Sequence, residues 1–233
     1  MSEILDVLRK EKKYVLSNVV ATNLSNFCGK ILRADSNNKS DGYKVRSLYF
    51  DTYDDDDYKQ KLAGDELRKK IRLRIYNFKD EYAKLEMKQK QGDNQRKRSL
   101  RVTRNDAMQL MKGEYSCLLK YGSPFALELY NVMTMEMYRP KCVIEYNRIA
   151  FMTDENNTRL TFDSDIRATE TNFNIFDDSL CLYPVYGMEK VVLEVKYNNF
   201  LLSYVKDIIT PADKLETSVS KYCIARSTTL GGE

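Results

Sequence analysis

In an extended strand, residues two apart share a face, and several segments of this chain set like charges at that step. Lys70, Arg72 and Arg74 share one face, with Ile71, Leu73 and Ile75 on the other. Lys84, Glu86, Lys88 and Lys90 share the next, opposed by Leu85, Met87 and Gln89. Glu194 and Lys196 oppose Leu193 and Val195, while Arg9, Glu11 and Lys13 repeat the pattern near the start. Arg148 follows Ile144 and Tyr146 at the same spacing. The wet side of an antiparallel sheet explains any one of these strands taken alone. Solvated surfaces interleave both signs, however, whereas these faces are basic with isolated glutamates, and they recur at both ends of the chain. With such faces turned inward, two unit charges ~6 Å apart repel by about 3 kcal/mol at an effective dielectric near 20. A polyanion relieves that repulsion, arginine forking onto phosphate oxygens and lysine acting as a point charge. The isolated glutamates suit a hard divalent ion, which takes one or two carboxylates together with phosphate oxygens.

The elements that carry these faces read as strands braced by a few helices. Strands are expected at Lys12–Leu16, Lys44–Asp51, Lys69–Asn77, Tyr82–Gln91, Gln95–Val102, Cys142–Phe151, Arg159–Asp165 and Glu189–Tyr197. Ser17 is placed to cap a helix running to about Leu32, and Thr103 to cap one at Asn105–Met111. Ser123 followed by Pro124 is a further helix start. The apolar spacing of Leu201, Leu202, Val205, Ile208 and Ile209 predicts a helix over Asn199–Ile209, stopped by Pro211. The fold class expected is α+β, an antiparallel barrel with bracing helices. Residues 1–226 read as one domain and 227–233 as a flexible tail.

Composition excludes a good deal. The chain has 233 residues and no histidine, so Ser-His or Cys-His nucleophiles and imidazole bases are out. No P-loop or dinucleotide glycine motif occurs. A net charge of +4 is too mild for a bulk binder of duplex nucleic acid. Five scattered cysteines without a CxxC pair fit neither a zinc site nor a disulfide framework and point to a reducing compartment. No apolar run is long enough for a transmembrane segment and the first residues lack a signal-peptide core, so a cytoplasmic location is expected. The acidic run Asp54–Asp57 reads as a solvated helix start, Met108, Met111, Met133 and Met135 as helix packing, and the cysteines as inert core.

Seven segments, in order, also resemble the polyphosphate polymerase domain of the vacuolar transporter chaperone (VTC) family. They are EKKYVL (Glu11–Leu16), VRSLYFDT (Val45–Thr52), KIRLRIY (Lys70–Tyr76), LEMKQK (Leu85–Lys90), IEYNRIAF (Ile144–Phe151), LEVKY (Leu193–Tyr197) and SKY (Ser220–Tyr222). That family belongs to the triphosphate tunnel metalloenzymes, related to CYTH domains. The resemblance implies transfer of the γ-phosphate of ATP onto inorganic polyphosphate with Mn²⁺ or Mg²⁺. By the same resemblance Lys13, Arg72, Arg74, Lys88 and Arg148 contact phosphates and Glu194 ligates the metal. Lys221 holds phosphate near one mouth, and within RKR Lys97 is preferred over Arg98 as a further contact. Lys70, Lys90 and Lys196 join the phosphate-binding set. Glu11 and Glu86 serve the metal or orient basic neighbours, and Tyr14 and Tyr222 pack.

Two departures bear on the chemistry. Hydrolytic relatives carry ExExK in the first strand, whereas this chain has Arg9-x-Glu11-x-Lys13, which favours the polymerase branch. Ser218 and Ser220 precede Lys221 where the eukaryotic polymerases place a second lysine, removing one phosphate contact. The rivals are a tripolyphosphatase or nucleoside triphosphatase of the same fold, and a non-catalytic module for polyphosphate or RNA ends. The last needs stacking aromatics, and the basic faces are not expected to be interleaved with tyrosines.

Overall fold

The alternation of apolar and charged residues is realised as ten strands in the computed structural model, which describes residues 9–92, 94–212 and 216–230. The strands are β1 (Arg9–Ser17), β2 (Arg33–Ala34), β3 (Tyr43–Asp51), β4 (Leu67–Ile75), β5 (Tyr82–Gln91), β6 (Asn94–Thr103), β7 (Arg139–Met152), β8 (Arg159–Thr169), β9 (Tyr183–Pro184) and β10 (Lys190–Asn198). The helices are α1 (Asn18–Ile31), α2 (Asp56–Ala63), α3 (Arg104–Met111), α4 (Pro124–Met135), α5 (Ser203–Ile209) and α6 (Lys221–Ser227). The strand pairs are antiparallel and the class is α+β. The chain divides into two compact units, one built from 1–43, 146–166 and 186–219, the other from 44–145, 167–185 and 220–233.

In the first unit β10 pairs with β1 on one side and β8 on the other. Their inner face supplies Tyr14, Leu16, Leu160, Phe162, Leu193 and Val195 to a core closed by Leu24 and Cys28 of α1 and by Val205, Ile208 and Ile209 of α5. Each such aliphatic side chain contributes about 1.5–3 kcal/mol when fully buried. Ser17 caps α1 as expected, its Oγ accepting from Val20 N at 3.4 Å. α5 starts later than the apolar spacing predicts. Asn199 adopts a left-handed backbone (φ 59°), which breaks the helix before Ser203 whatever the side-chain pattern. Gly42 holds φ 85°, and a Cβ there would lie 2.4 Å from the Arg148 carbonyl oxygen, so only glycine lets this turn approach β7.

In the second unit β3, β4, β5 and β6 pair in sequence order. The odd-numbered residues Ile71, Leu73, Ile75, Leu85 and Met87 turn to a core that Leu110, Leu118, Leu129 and Met133 cover. Thr103 and Ser123 cap α3 and α4 from their hydroxyls, and Pro124 takes the first helical position of α4. A 3-10 turn at Tyr115–Tyr121, which the periodicity does not announce, joins those helices.

Four expectations on bland residues are corrected in part. Met135 is 81% exposed and Cys181 is exposed, while the other four cysteines are buried free thiols. The expected tail is bound in part: α6 runs to Ser227, and Thr229 donates to Glu170 at 2.8 Å; residues 231–233 and the segment 1–8 lie outside the described residues. The acidic run opens α2 with Asp54 and Asp56 exposed, as expected, but its last member is not solvated. Asp57 is 3% exposed and accepts the Tyr138 hydroxyl on both oxygens at 3.0 Å.

Burial, and then the charge of Asp51, push the Asp57 pKa from 3.8 up to about 8. A carboxyl raised in this way lowers stability progressively as pH rises from about 4, with the full cost present above about 8. Asp57→Asn removes the ionisation and keeps an acceptor for Tyr138. Thermal melts across that range should show a flatter pH dependence than wild type, with the variant higher at the alkaline end by about 2–4 °C per kcal/mol recovered. Parallel pH profiles for the two proteins would contradict this account of Asp57.

Candidate functional site

Register decides which side chains share the basic face of the second unit. Lys70 pairs with Lys88, and Lys88 with Lys97. Arg72 pairs with Glu86, Arg68 with Lys90, and the row Arg74, Lys84 and Arg101 lies on the same side. Across β4–β6 this face carries the expected Lys70, Arg72, Arg74, Lys88, Lys90 and Lys97 around one carboxylate, Glu86. Like charges directly opposite on a sheet destabilise it, so the three-lysine row is a local cost in the protein alone.

Glu86 is 4% exposed and holds the face together. Its carboxylate lies 2.7 Å from Arg72 Nε, 2.5 Å from Lys97 Nζ and 3.8 Å from Arg74 Nη1. Burial pushes the Glu86 pKa up, but Arg72, Arg74 and Lys97 outweigh it and bring it from 4.5 to about 2. Of the two roles expected for Glu86, these contacts fit the orienting one. Arg74 Nε donates to Ser47 Oγ at 3.2 Å, and Arg72 Nη1 to the Tyr49 hydroxyl at 3.2 Å. Tyr49 is buried, which raises its pKa, yet Arg72, Lys70 and Arg74 draw it down to about 8. Its ring lies 5.5 Å from Lys70 Nζ and stacks on Tyr222 at 5.3 Å. Tyr222 in turn donates to Asp51 Oδ2 at 2.6 Å. That bond pins the first turn of α6, where Lys221 is half-buried, so Tyr222 anchors as well as packs.

Arg98 departs from its expected role. It pairs with Met87, on the opposite side from Lys97, where Glu128 grips it at 2.5 Å and the Phe125 ring lies 4.5 Å away. A one-residue change of phase moves a side chain to the other face, and Arg98 here serves the packing of α4. Tyrosines are also nearer the face than expected: Tyr49 borders it on β3, and Tyr76 and Tyr82 stand at its end.

The first unit holds a different arrangement, a checkerboard of charge. Lys13 pairs with Glu194 and Glu11 with Lys196 across β1 and β10. Lys13 Nζ is 3.0 Å from Glu11 and donates to the Val219 carbonyl at 3.1 Å. Lys196 Nζ is 3.1 Å from Glu194 and 3.9 Å from Glu11. Burial and the neighbouring Glu194 charge raise the Glu11 pKa; Lys13 and Lys196 outweigh them, and the net shift is downward. Arg148 is held on both forks by Asp163, at 2.7 and 2.8 Å, with Glu194 3.8 Å away. Asp163, absent from the sequence expectations, therefore fixes the guanidinium beside Glu194. Nothing in TFDSD beyond the two-residue step from Thr161 signals it.

The adjacent carboxylates of Glu11 and Glu194 match what Mg²⁺ or Mn²⁺ takes from a protein when phosphate supplies the remaining oxygens. Among the described residues no group of three or more acidic, cysteine or histidine side chains forms an all-protein metal cage. No helix among them is long and apolar enough to cross a membrane.

Solved structures share this fold. A proposed adenylate cyclase from Bacillus halodurans matches with a TM-score of 0.55 at 11% identity, over 91% of this chain and 95% of that one. A proposed adenylyl cyclase from Hippeastrum, described as having a dominant triphosphatase activity, matches with a TM-score of 0.55 at 12% identity, over 95% of this chain and 96% of that one. A chain of the Schizosaccharomyces pombe Mediator head module matches with a TM-score of 0.50 at 9% identity, over 89% of this chain and 97% of that one. The chain belongs to the VTC domain family, whose model matches residues 8–230. No curated protein matches it.

Proposed function

We propose that this protein is a phosphoryl-transfer enzyme that moves the γ-phosphate of ATP onto inorganic polyphosphate. The observation that carries the reading is the basic face of β4–β6, where opposed lysines and arginines surround the single carboxylate Glu86. An extended polyanion matches the length and sign of such a face. Lys70, Arg72, Arg74, Lys88, Lys90 and Lys97 bind and align the phosphates, with Lys221 as a further contact. Lys13 and Lys196 are phosphate contacts in the other unit, and Arg148 positions Glu194.

Glu194, with Glu11, would hold Mn²⁺ or Mg²⁺. That ion supplies charge neutralisation on phosphate oxygens when bound. The protein's own share is positioning and preorganised positive charge, the main source of catalysis in phosphoryl transfer. The terminal phosphate of an acceptor chain is already ionised and needs no general base.

The rival reading, hydrolysis, has the Hippeastrum neighbour's described activity in its favour. Water as acceptor requires activation, and a base works best with a pKa near the operating pH. Glu86, near 2 and fully engaged, is badly matched, and Glu11 is shifted in the same unhelpful direction. Non-catalytic binding also remains compatible with the fold, since fold alone does not fix activity.

Incubation of the purified protein with ATP and Mn²⁺ separates these outcomes. ADP together with gel-resolved polyphosphate is expected. ADP with stoichiometric free phosphate would replace the transferase by a hydrolase, and the absence of turnover would leave a binding module.

A further inference from the structure

The basic face of β4–β6 ends at the β4–β5 hairpin in two tyrosines. Tyr76 stands just past the end of β4 and Tyr82 opens β5, and Lys84 and Arg101 of the cation side lie against their rings. Each tyrosine is 43% exposed. Neither is loosely held. Tyr76 N donates to Asp80 Oδ2 at 3.0 Å, and the Tyr76 hydroxyl accepts from Arg74. Lys84 Nζ stands 5.5 Å from the Tyr76 ring centre, and the Arg101 guanidinium 3.7 Å from that of Tyr82. The site is therefore a pair of half-open aromatic rings with cations beside them, at one end of the row of cations proposed to bind phosphate.

Aromatic rings next to a cationic track are the device by which proteins hold a base and its phosphates together. We propose that Tyr76 and Tyr82 form the seat for the base of a nucleoside triphosphate, whose phosphates then run from Arg74 towards Lys70. The inference rests on the reading of the β4–β6 face as a phosphate track and adds the direction in which that track is used. Tyr76 lies four positions beyond Arg72, just past the end of β4, about 13 Å at the usual strand rise, a span suited to an extended nucleotide reaching from base to terminal phosphate. The row Lys70, Lys88 and Lys97 then lies beyond the terminal phosphate, on the acceptor side.

Calorimetric titration of ATP and of tripolyphosphate into wild type, Tyr76→Ala, Tyr76→Phe and Tyr82→Ala tests this. Tyr76→Ala should weaken ATP binding about tenfold, the scale of one base–aromatic stack, and leave tripolyphosphate within about twofold. Tyr82→Ala should act in the same direction, and Tyr76→Phe, which keeps the ring but frees Arg74, should bind both ligands like wild type. Equal weakening of both ligands by Tyr76→Ala, or unchanged ATP affinity, would overturn the base seat while leaving the phosphate track standing. Failure of tripolyphosphate to bind the wild-type protein would overturn the track, and the seat with it.

Discussion

Arg72→Ala should lower turnover of ATP by about 10²–10³-fold, the usual cost of removing one preorganised donor from a site where charge develops. Arg72 stands between Tyr49 and Glu86, bonded to both, so its guanidinium is aimed before any substrate arrives. Such preorganisation strengthens the transition state more than the ground state. The loss should therefore fall mainly on kcat, whereas an arginine that only binds would raise KM and leave kcat alone. Arg72→Lys restores the charge but not the planar fork, and it should recover only part of the activity. Steady-state kinetics of the three proteins measure this directly. Wild-type kcat in Arg72→Ala would exclude Arg72 from the reacting centre.

Glu86→Gln should destabilise the protein by about 3 kcal/mol, from the depression of its pKa from 4.5 to about 2. The figure agrees with the cost of breaking a buried ion pair by removing one partner, about 3–5 kcal/mol. Because the folded pKa is lowered, this contribution is complete above about 4.5 and is lost as pH falls to about 2. Wild type should accordingly lose its advantage over Glu86→Gln in acid. The variant also leaves Arg72, Arg74 and Lys97 without their common carboxylate. A polyanion should then restore more stability to Glu86→Gln than to wild type, because no resident carboxylate competes with it. Melting curves at neutral and acid pH, with and without tripolyphosphate, test both parts. A variant as stable as wild type, or one that tripolyphosphate stabilises less, would contradict the role given to Glu86.

The parts of the site readable in the sequence are those governed by a two-residue step. Lys70, Arg72, Arg74, Lys88 and Lys90 declare their face because Ile71, Leu73, Leu85 and Met87 declare the other. Tyr76 and Tyr82 obey the same step and are equally legible once rings are counted along with charges. Arg96, Lys97 and Arg98 are three consecutive cations with no apolar phase between them; only the pairing of Lys88 with Lys97 sends Arg98 to the helix side. Asp163 and Asp57 are invisible for another reason. Their burial depends on partners far along the chain, Arg148 for one and Tyr138 for the other, and no local pattern encodes a contact of that kind. The capping residues Ser17, Thr103 and Ser123 are local and were legible. The late start of α5 turns on the backbone conformation of Asn199, which apolar periodicity does not register.

A thermal melt with tripolyphosphate at low salt tests most directly whether the basic face of β4–β6 binds polyphosphate. A ligand at a hundred times its dissociation constant stabilises by about 2.7 kcal/mol. For a chain of this size that raises Tm by roughly 5–10 °C, and added salt should erode the shift. An unchanged Tm at millimolar tripolyphosphate and low salt would contradict the claim.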